Sequence, residues 1–586
     1  MAHHSYVVTS AGDTTAHGTL RSAIHFANAH PGTTITFAAK LAHHTITLSS
    51  DLPLFDSKVT IDGGANHITI SGGGQHRIFF ADRGHITIEN LTLVNGFAHG
   101  GDGGAGQLGD SGGGGMGAGG ALFVRGSLGG HTPARVTLVN VGFRNDAAHG
   151  GNGGSDPSTF GGSSATGGGG GLGGNGGSNP SLHSGGGGGG GAFPGQDGES
   201  GPGGMGGGPN GGAGGNPGGP GGDFSGGGGA SVNGASGGDG GFGGGAGGST
   251  NAAGGSGGFG GGGGGNFIDA GGSGGFGGGG GGSGGPANQP GIGGFGGGNG
   301  GRGVPNSAVG GGGGAGMGGA VFVMEGSHLI ILGAGKLGGS VQGGNAGNGG
   351  TDGQAFGGGM FLEGSGTIRF NPGLGQTEHV SNAIDDQAGA EANGYTPPAG
   401  FTPGSYNLIK SGLGTLILSA DNAYSGGTIL KAGTLEVAAQ FASGTGSLTG
   451  TGSITFAGTA TLKIANSAFS NLFGHIFFGA PIDIFGKHDI LDLTGLHFRH
   501  GATATYDNND LFVHSGSLTY GLILLSPHGT HFAVANDGHG GTKVTLDPPA
   551  HAATMASLPA HHLGEPHLVP DIAGSPDHLG DLLFMA

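Results

Sequence analysis

The feature that most constrains this chain is a repeat at an offset of 50 residues: ITIENLTLVNGFAHGGDGG at 86–104 returns as VTLVNVGFRNDAAHGGNGG at 136–154. The offset aligns Asn90 with Asn140, Asn95 with Asn145 and His99 with His149. A second motif occurs three times, as Gly119-Gly120-Ala121-Leu122-Phe123-Val124, Gly318-Gly319-Ala320-Val321-Phe322-Val323 and Gly358-Gly359-Met360-Phe361-Leu362. Short segments of period two lie upstream: Thr34-Ile35-Thr36-Phe37, Thr45-Ile46-Thr47-Leu48, Val59-Thr60-Ile61, His67-Ile68-Thr69-Ile70 and Ile86-Thr87-Ile88. Each has an apolar side and a Thr or His side, which reads as a strand. A unit this small cannot bury its apolar side alone. Copies stacked in register make a continuous core and pair every strand but the terminal ones. The expected fold is all-β, a right-handed parallel β-helix, with Asn at equivalent turns forming ladders from coil to coil. One helix is expected, over 19–30, where Leu20, Ala23, Ile24 and Ala27 share a face. Thr19 caps its start and Pro31-Gly32 stops it. It would plug the open edge of the first coil.

Between the repeats lies a segment unlike either: residues 161–300 contain 77 Gly in 140 positions. Gly-Gly-Phe-Gly-Gly-Gly recurs there with Phe at 242, 259, 276 and 295. A flexible linker has no reason to keep an aromatic on a near-constant period, and the strict Gly-X-Y of collagen is absent. The expectation is an ordered insertion of extended, polyproline-II-like glycine helices with Phe at the ends or edges.

Composition excludes several functions. With no cysteine among 586 residues there is no disulfide scaffold, thiolate metal site or cysteine nucleophile. Only 17 Lys and Arg oppose a formal net charge of −18, without a basic cluster, so nucleic acid is not an expected partner. No apolar run has the length of a membrane span. Met1-Ala2-His3-His4-Ser5-Tyr6 lacks the basic and apolar regions of a signal peptide. Protonating all 29 His would take the formal charge from −18 to +11, although His on exposed turns needs no special role.

Residues 407–437, NLIKSGLGTLILSADNAYSGGTILKAGTLEV, resemble the autotransporter-associated β-strand repeat. Lys410, Gly412, Gly414, Thr415, Leu416 and Leu418 match its first part, Asn422 and Tyr424 to Thr428 its middle, and Gly433, Thr434, Leu435 and Val437 its end. A degenerate copy follows, from Gly446-Ser447-Leu448 to Gly452-Ser453-Ile454-Thr455-Phe456. GTLRSAIHFANAHPG at 18–32, TIDGG at 60–64 and ITIENLTLVNGFA at 86–98 are similar to the opening of large exported β-helix proteins of Gram-negative bacteria. The resemblance implies an exported passenger, and the repeat itself is a structural rung without chemistry. The expected organisation is cap and rungs at 1–154, glycine-rich insertion at 155–316, rungs including the repeat at 317–480, a closing β module at 481–547, and a Pro/His-rich tail at 548–586. That tail has no room for a membrane barrel of long alternating strands, so it reads as a C-terminal signal for type I secretion, with a missing barrel as the alternative.

Candidate chemistry is sparse. Polysaccharide cleavage needs clustered carboxylates with a His and a cation on one face. Asn508-Asn509-Asp510 and Gly538-His539-Gly540 superficially match such motifs, but Asp385-Asp386 lies in the wrong order and His539 reads as a turn. Asn345 to Asp352 loosely resembles one calcium β-roll copy, whose ion sites require tandem copies. His3-His4, His43-His44 and His561-His562 are His pairs that would point to opposite faces of a strand, whereas stacking would bring His99 to His149. Thr34/Thr36 and Thr45/Thr47 suggest an ice-binding face that His67 and His85 interrupt. No residue is therefore assigned a catalytic or cofactor-binding role, and no metal ligand is assigned. The expected function is an extracellular structural or adhesive protein of a bacterial surface, not an enzyme. Its partners would be further copies of itself, head-to-tail or lateral, or surface glycans. The alternative is a polysaccharide-active lyase or hydrolase on the same scaffold.

Overall fold

A computed structural model describes residues 4–106, 110–155, 166–179, 187–191, 195–231, 235–284, 289–303, 309–439, 452–472 and 475–547. Met1–Asp547 forms one compact unit. Residues 548–586, with the expected secretion signal and His561-His562, lie outside the described residues, as do His3 and Gly446-Ser447-Leu448.

Parallel pairing dominates the described strands. The longest sheet has 15 strands, starting at Ser5–Val8 and running through Thr33–Phe37, Val59–Asp62, Gly84–Glu89 and Ala134–Val139 towards the C-terminal strands. Its register places one inward residue of each rung above the last: Ile35, Ile61, Ile88, Leu138, Ile331, Phe370, Lys410, Leu430 and Phe456. The eight apolar members are buried, and each such side chain contributes roughly 1.5–3 kcal/mol. The offset of 50 is the spacing of one rung: Ile86 pairs with Val136, Leu93 with Phe143, and His99 with His149.

Consecutive strands of a rung meet at single left-handed residues, which suit Asn better than most side chains. Asn90, Asn95, Asn140 and Asn145 have φ of 55, 51, 52 and 56°. At the first of these corners the expected ladder forms. Asn140 Nδ2 donates to Asn90 Oδ1 at 3.0 Å, and Asn90 Nδ2 donates to Asp62 Oδ1 at 2.8 Å. Two rungs on, Asn140 Oδ1 accepts from Gln376 Nε2 at 3.3 Å.

The helix spans Leu20–Ala29, with Thr19 Oγ1 accepting from the Ser22 N–H. Leu20, Ala23, Ile24 and Ala27 are buried against Ser5–Val8 and Thr33–Phe37. Arg21 is also buried, forked onto Asp13 and donating to the carbonyls of Ser50 and Asp51. At the other end the parallel pattern gives way to antiparallel pairs, Asp510–Ser515 with Leu518–Leu525 and Ile490–Leu493 with Thr542–Leu546.

The glycine segments are ordered by hydrogen bonds to three neighbours in rotation. Gly167 and Gly170 donate to Asp110 and Gly113; Gly168 and Gly171 to Gly177 and Gly174; Gly169 and Leu172 to Ala246 and Gly243, all at 2.7–3.0 Å. The bonds repeat with a period of three, and every one of them leaves the segment. Successive Phe-bearing units stack in parallel, Gly257 donating to Ser273, Gly260 to Phe276 and Gly263 to Gly279. Within a unit the chain reverses at Gly258-Phe259-Gly260-Gly261, where Gly261 N–H donates to Gly258 O at 2.8 Å. Gly260, at φ +77°, supplies the left-handed third residue of a type II turn, and Phe takes the second. Segments close to the rungs join the same bundle: Gly101 donates to Gly171, Gly113 to Gly263 and Gly344 to Gly314.

Candidate functional site

The described structure concentrates its aromatic residues where the bundle meets the solenoid. On the solenoid side Phe80, Phe123, Phe322 and Phe361 occupy one parallel register. Their rings stack at centroid distances of 4.6, 5.0 and 5.8 Å. The periodic Phe242, Phe259, Phe276 and Phe295 form a second column, with distances of 5.3, 5.0 and 5.4 Å and interplanar angles of 2–8°. The columns meet edge to face, Phe259 with Phe322 at 6.3 Å and Phe123 with Phe242 at 6.4 Å. That is the favoured arrangement of two ring quadrupoles.

Arg125 fastens the same junction. It follows the strand Leu122–Val124 and is 4% exposed. Its Nη1 donates to Asp82 Oδ1 at 2.7 Å, while Nη1 and Nη2 fork onto Asp223 in the glycine block at 2.9 and 2.7 Å. The guanidinium lies 3.9 Å from the Phe242 ring centroid. Charge pairing and cation–π contact thus act on one buried group.

The candidate catalytic residues are dispersed. Asp386 caps the helix Gln387–Ala392 and accepts from the N–H groups of Gly389, Tyr406 and Ser425 and from the Ser425 hydroxyl. Asp385 accepts from the Gly357 N–H at 2.6 Å, and burial pushes its carboxyl up to about 6. Asn508 and Asn509, at φ 49 and 70°, are the two turn residues of the hairpin closed by the Asp507–Asp510 pair. His539 is exposed in an Asp537 turn, where Asp537 Oδ1 accepts from the His539 and Gly541 N–H groups. That turn joins strands of a different sheet from the Asn508 hairpin.

The segment Asn345 to Asp352 is a turn of the glycine bundle, with Asp352 Oδ1 taken by the Ala346 N–H and Asn152 Oδ1 by the Asn345 N–H. Stacking does bring His99 to His149, whose imidazolium burial and the His99 neighbour both disfavour. Among the described residues no group of three His, Asp or Glu could hold a metal ion. Two readings need correction. His43 and His44 precede the strand Thr45–Thr47, and His43, at φ 60°, stacks on His67 with centroids 5.2 Å apart. His67 is likewise a left-handed turn residue, at φ 48°, so it does not interrupt a strand face. The Thr column Thr34, Thr60, Thr87 and Thr137 ends at Ile330, and a column of His85, Arg135 and His328 runs on the same sheet.

The repeat at 407–437 forms two stacked half-rungs, Tyr406–Lys410 on Thr428–Leu430 and Thr415–Leu418 on Gly433–Val437. Its motif residues have structural tasks. Lys410, the one charged member of the inward column, donates to the carbonyls of Ser411, Gly412 and Ala432, each at 2.9 Å. Asn422 Oδ1 accepts from the Ile384 N–H, and the Tyr424 hydroxyl meets that of Thr428 at 2.6 Å. Residues 408–437 match the passenger-associated transport repeat. The chain is similar to an autotransporter passenger. The match covers 30 of 586 residues, and it points to an exported or surface protein. No curated protein matches this passenger-like chain. No helix among its described residues is long and apolar enough to cross a membrane.

Proposed function

We propose that this passenger-like chain is a structural protein of a bacterial surface and not an enzyme. In this reading the stacked strands form a right-handed β-helix, helix Leu20–Ala29 caps its N-terminal end, and the glycine segments form a polyglycine-II-like insertion carried on its flank. The observation that carries the reading is the meeting of the two phenylalanine columns, which makes the glycine block a rigid part of the scaffold instead of a tether. The occupation of Asp385 and Asp386 by backbone donors supports the non-enzymatic side. The partners are further copies, stacked head-to-tail or laterally, or surface glycans, and the glycine block provides the surface presented to them.

Electron microscopy of the purified protein across pH, run beside a glycan-degradation screen, tests this. The expected result is filaments or lateral arrays and no depolymerisation of any glycan. Monodisperse particles that cleave a polysaccharide would overturn it.

A further inference from the structure

A cavity of about 610 Å³ opens between the N-terminal helix, the first rungs and the glycine block. Its size falls in the ordinary range for small-ligand sites, roughly 300–1,000 Å³. The decisive group on its lining is Arg77, which is 4% exposed. The guanidinium lies beside the stacked rings of Phe80 and Phe123, 5.7 Å from each centroid. Nε and Nη2 donate only to the backbone carbonyls of Ala118 and Gly119, and Nη1 donates to no described residue. No carboxylate among the described residues forms an ion pair with it. The carboxylate of Asp51 acts on this guanidinium from beyond ion-pair distance and compensates it only in part; a buried charge so placed is costly, and an anion entering from the cavity would lower that cost.

The other cation on the lining, Arg21, is already matched by Asp13. The one lining carboxylate, Asp51, accepts from the Arg77 backbone N–H at 3.1 Å and stands 3.6 Å from His76 Nδ1. Gln75, His25 and His99 add side chains able to donate and accept, and the Phe97 ring adds a flat apolar face. One cation compensated only in part by Asp51, several hydroxyl-compatible groups and an aromatic face together describe a site for a polyhydroxylated acid. We infer that this cavity binds an acidic saccharide of one or two rings, its carboxylate directed to Arg77. This goes beyond the structural role and does not depend on it.

The test is calorimetric titration of the full chain with a glucuronate-containing disaccharide, its neutral counterpart and inorganic phosphate. The acid should bind about tenfold more tightly than the neutral sugar, a discrimination of about 1.4 kcal/mol. Arg77→Met, checked for native circular dichroism, should abolish that preference. Gln75→Ala and His99→Ala, which remove lining groups without touching the guanidinium, should weaken acid binding about threefold or more while the fold is kept. If Arg77→Met does not fold, the preference of the wild-type chain and these two variants decide the matter. Equal binding of acid and neutral sugar, equal competition by phosphate, absence of saturable binding, or a folded Arg77→Met that keeps the preference would each overturn the inference.

Discussion

Replacing Gly262 by Ala separates a bundle from a tether. Gly262 N–H donates to Gly170 O at 2.8 Å, and its carbonyl accepts from Ala246 N–H at 3.0 Å. A Cβ built on it would lie well inside 3.0 Å of the Gly113 carbonyl oxygen, closer than real Cβ atoms come. In an unstructured glycine segment Gly→Ala only removes chain freedom, and where the backbone conformation suits Ala it stabilises by about 0.4–1 kcal/mol. In the bundle the added methyl must push a backbone carbonyl away. Overpacking of this kind costs about 1–3 kcal/mol, and a Cα–H···O contact of about 0.5–1 kcal/mol goes with it. Subtracting the chain-freedom gain leaves a local loss of about 1–3 kcal/mol, or amide exchange faster by about fivefold to 150-fold. Hydrogen-exchange mass spectrometry on peptides spanning 235–284 reads this directly. Gly142→Ala is the control, because its Cβ would meet nothing nearer than the Thr92 methyl at 3.8 Å. Unchanged exchange in Gly262→Ala, or equal acceleration in Gly142→Ala, would refute the reasoning.

Three further outcomes follow from the same contacts. Phe295→Ala removes a ring that is 1% exposed and stacked on Phe276; it should destabilise the block by about 3–5 kcal/mol, seen as protease cleavage near 290–300 while the solenoid stays resistant. Arg125→Met removes the Oδ1 donor of Asp82, which is fully buried and keeps Arg83 on Oδ2 at 3.0 Å, and should cost about 1–3 kcal/mol in chemical denaturation; a loss under about 1 kcal/mol would show that the clamp is ornamental. Asp146 is fully buried and burial pushes its carboxyl up to about 8, although the Gly96 and Arg144 N–H groups oppose the rise. The folded chain therefore keeps a proton that the unfolded chain releases, so this group's contribution is intact below pH ~4 and is lost as pH rises towards 8. Asp146→Asn stays neutral, so its stability advantage should grow from near zero at pH ~4 to as much as roughly 5 kcal/mol above pH ~8; a pH-independent difference would contradict the assignment.

What the sequence made legible were the features that repeat along the chain. The offset of 50 gave the rung, Asn90 and Asn140 gave the corner ladder, Thr19 gave the helix start, and the Phe period gave the second aromatic column. What it concealed were features created only by stacking. Phe80 belongs to the solenoid column through its pairing with Phe123, yet Ile78-Phe79-Phe80-Ala81 has no Gly-Gly before it. In the third motif copy Met360 pairs with Val321, so Gly357, left-handed at φ 64° like Gly119 and Gly318, is their equivalent and Gly358 is not. The repeat pattern marked Lys410 without showing that it lies in the inward column, where three carbonyls of neighbouring turns converge on its ammonium. The Arg125–Asp223 contact joins residues 98 apart and leaves no local pattern. Nor does a Cα–H against a carbonyl, apart from the presence of glycine itself.

Residue-resolved amide exchange of the wild-type chain tests most directly whether the glycine block is a folded part of this protein. The amides of Gly169, Gly245, Gly262 and Gly279 donate to Ala246, Gly190, Gly170 and Gly114 inside the bundle. They should exchange as slowly as those of Ile86, Ile88, Val136 and Leu138 in the solenoid. Exchange of the four glycines at unprotected rates, beside a protected solenoid, would contradict the account.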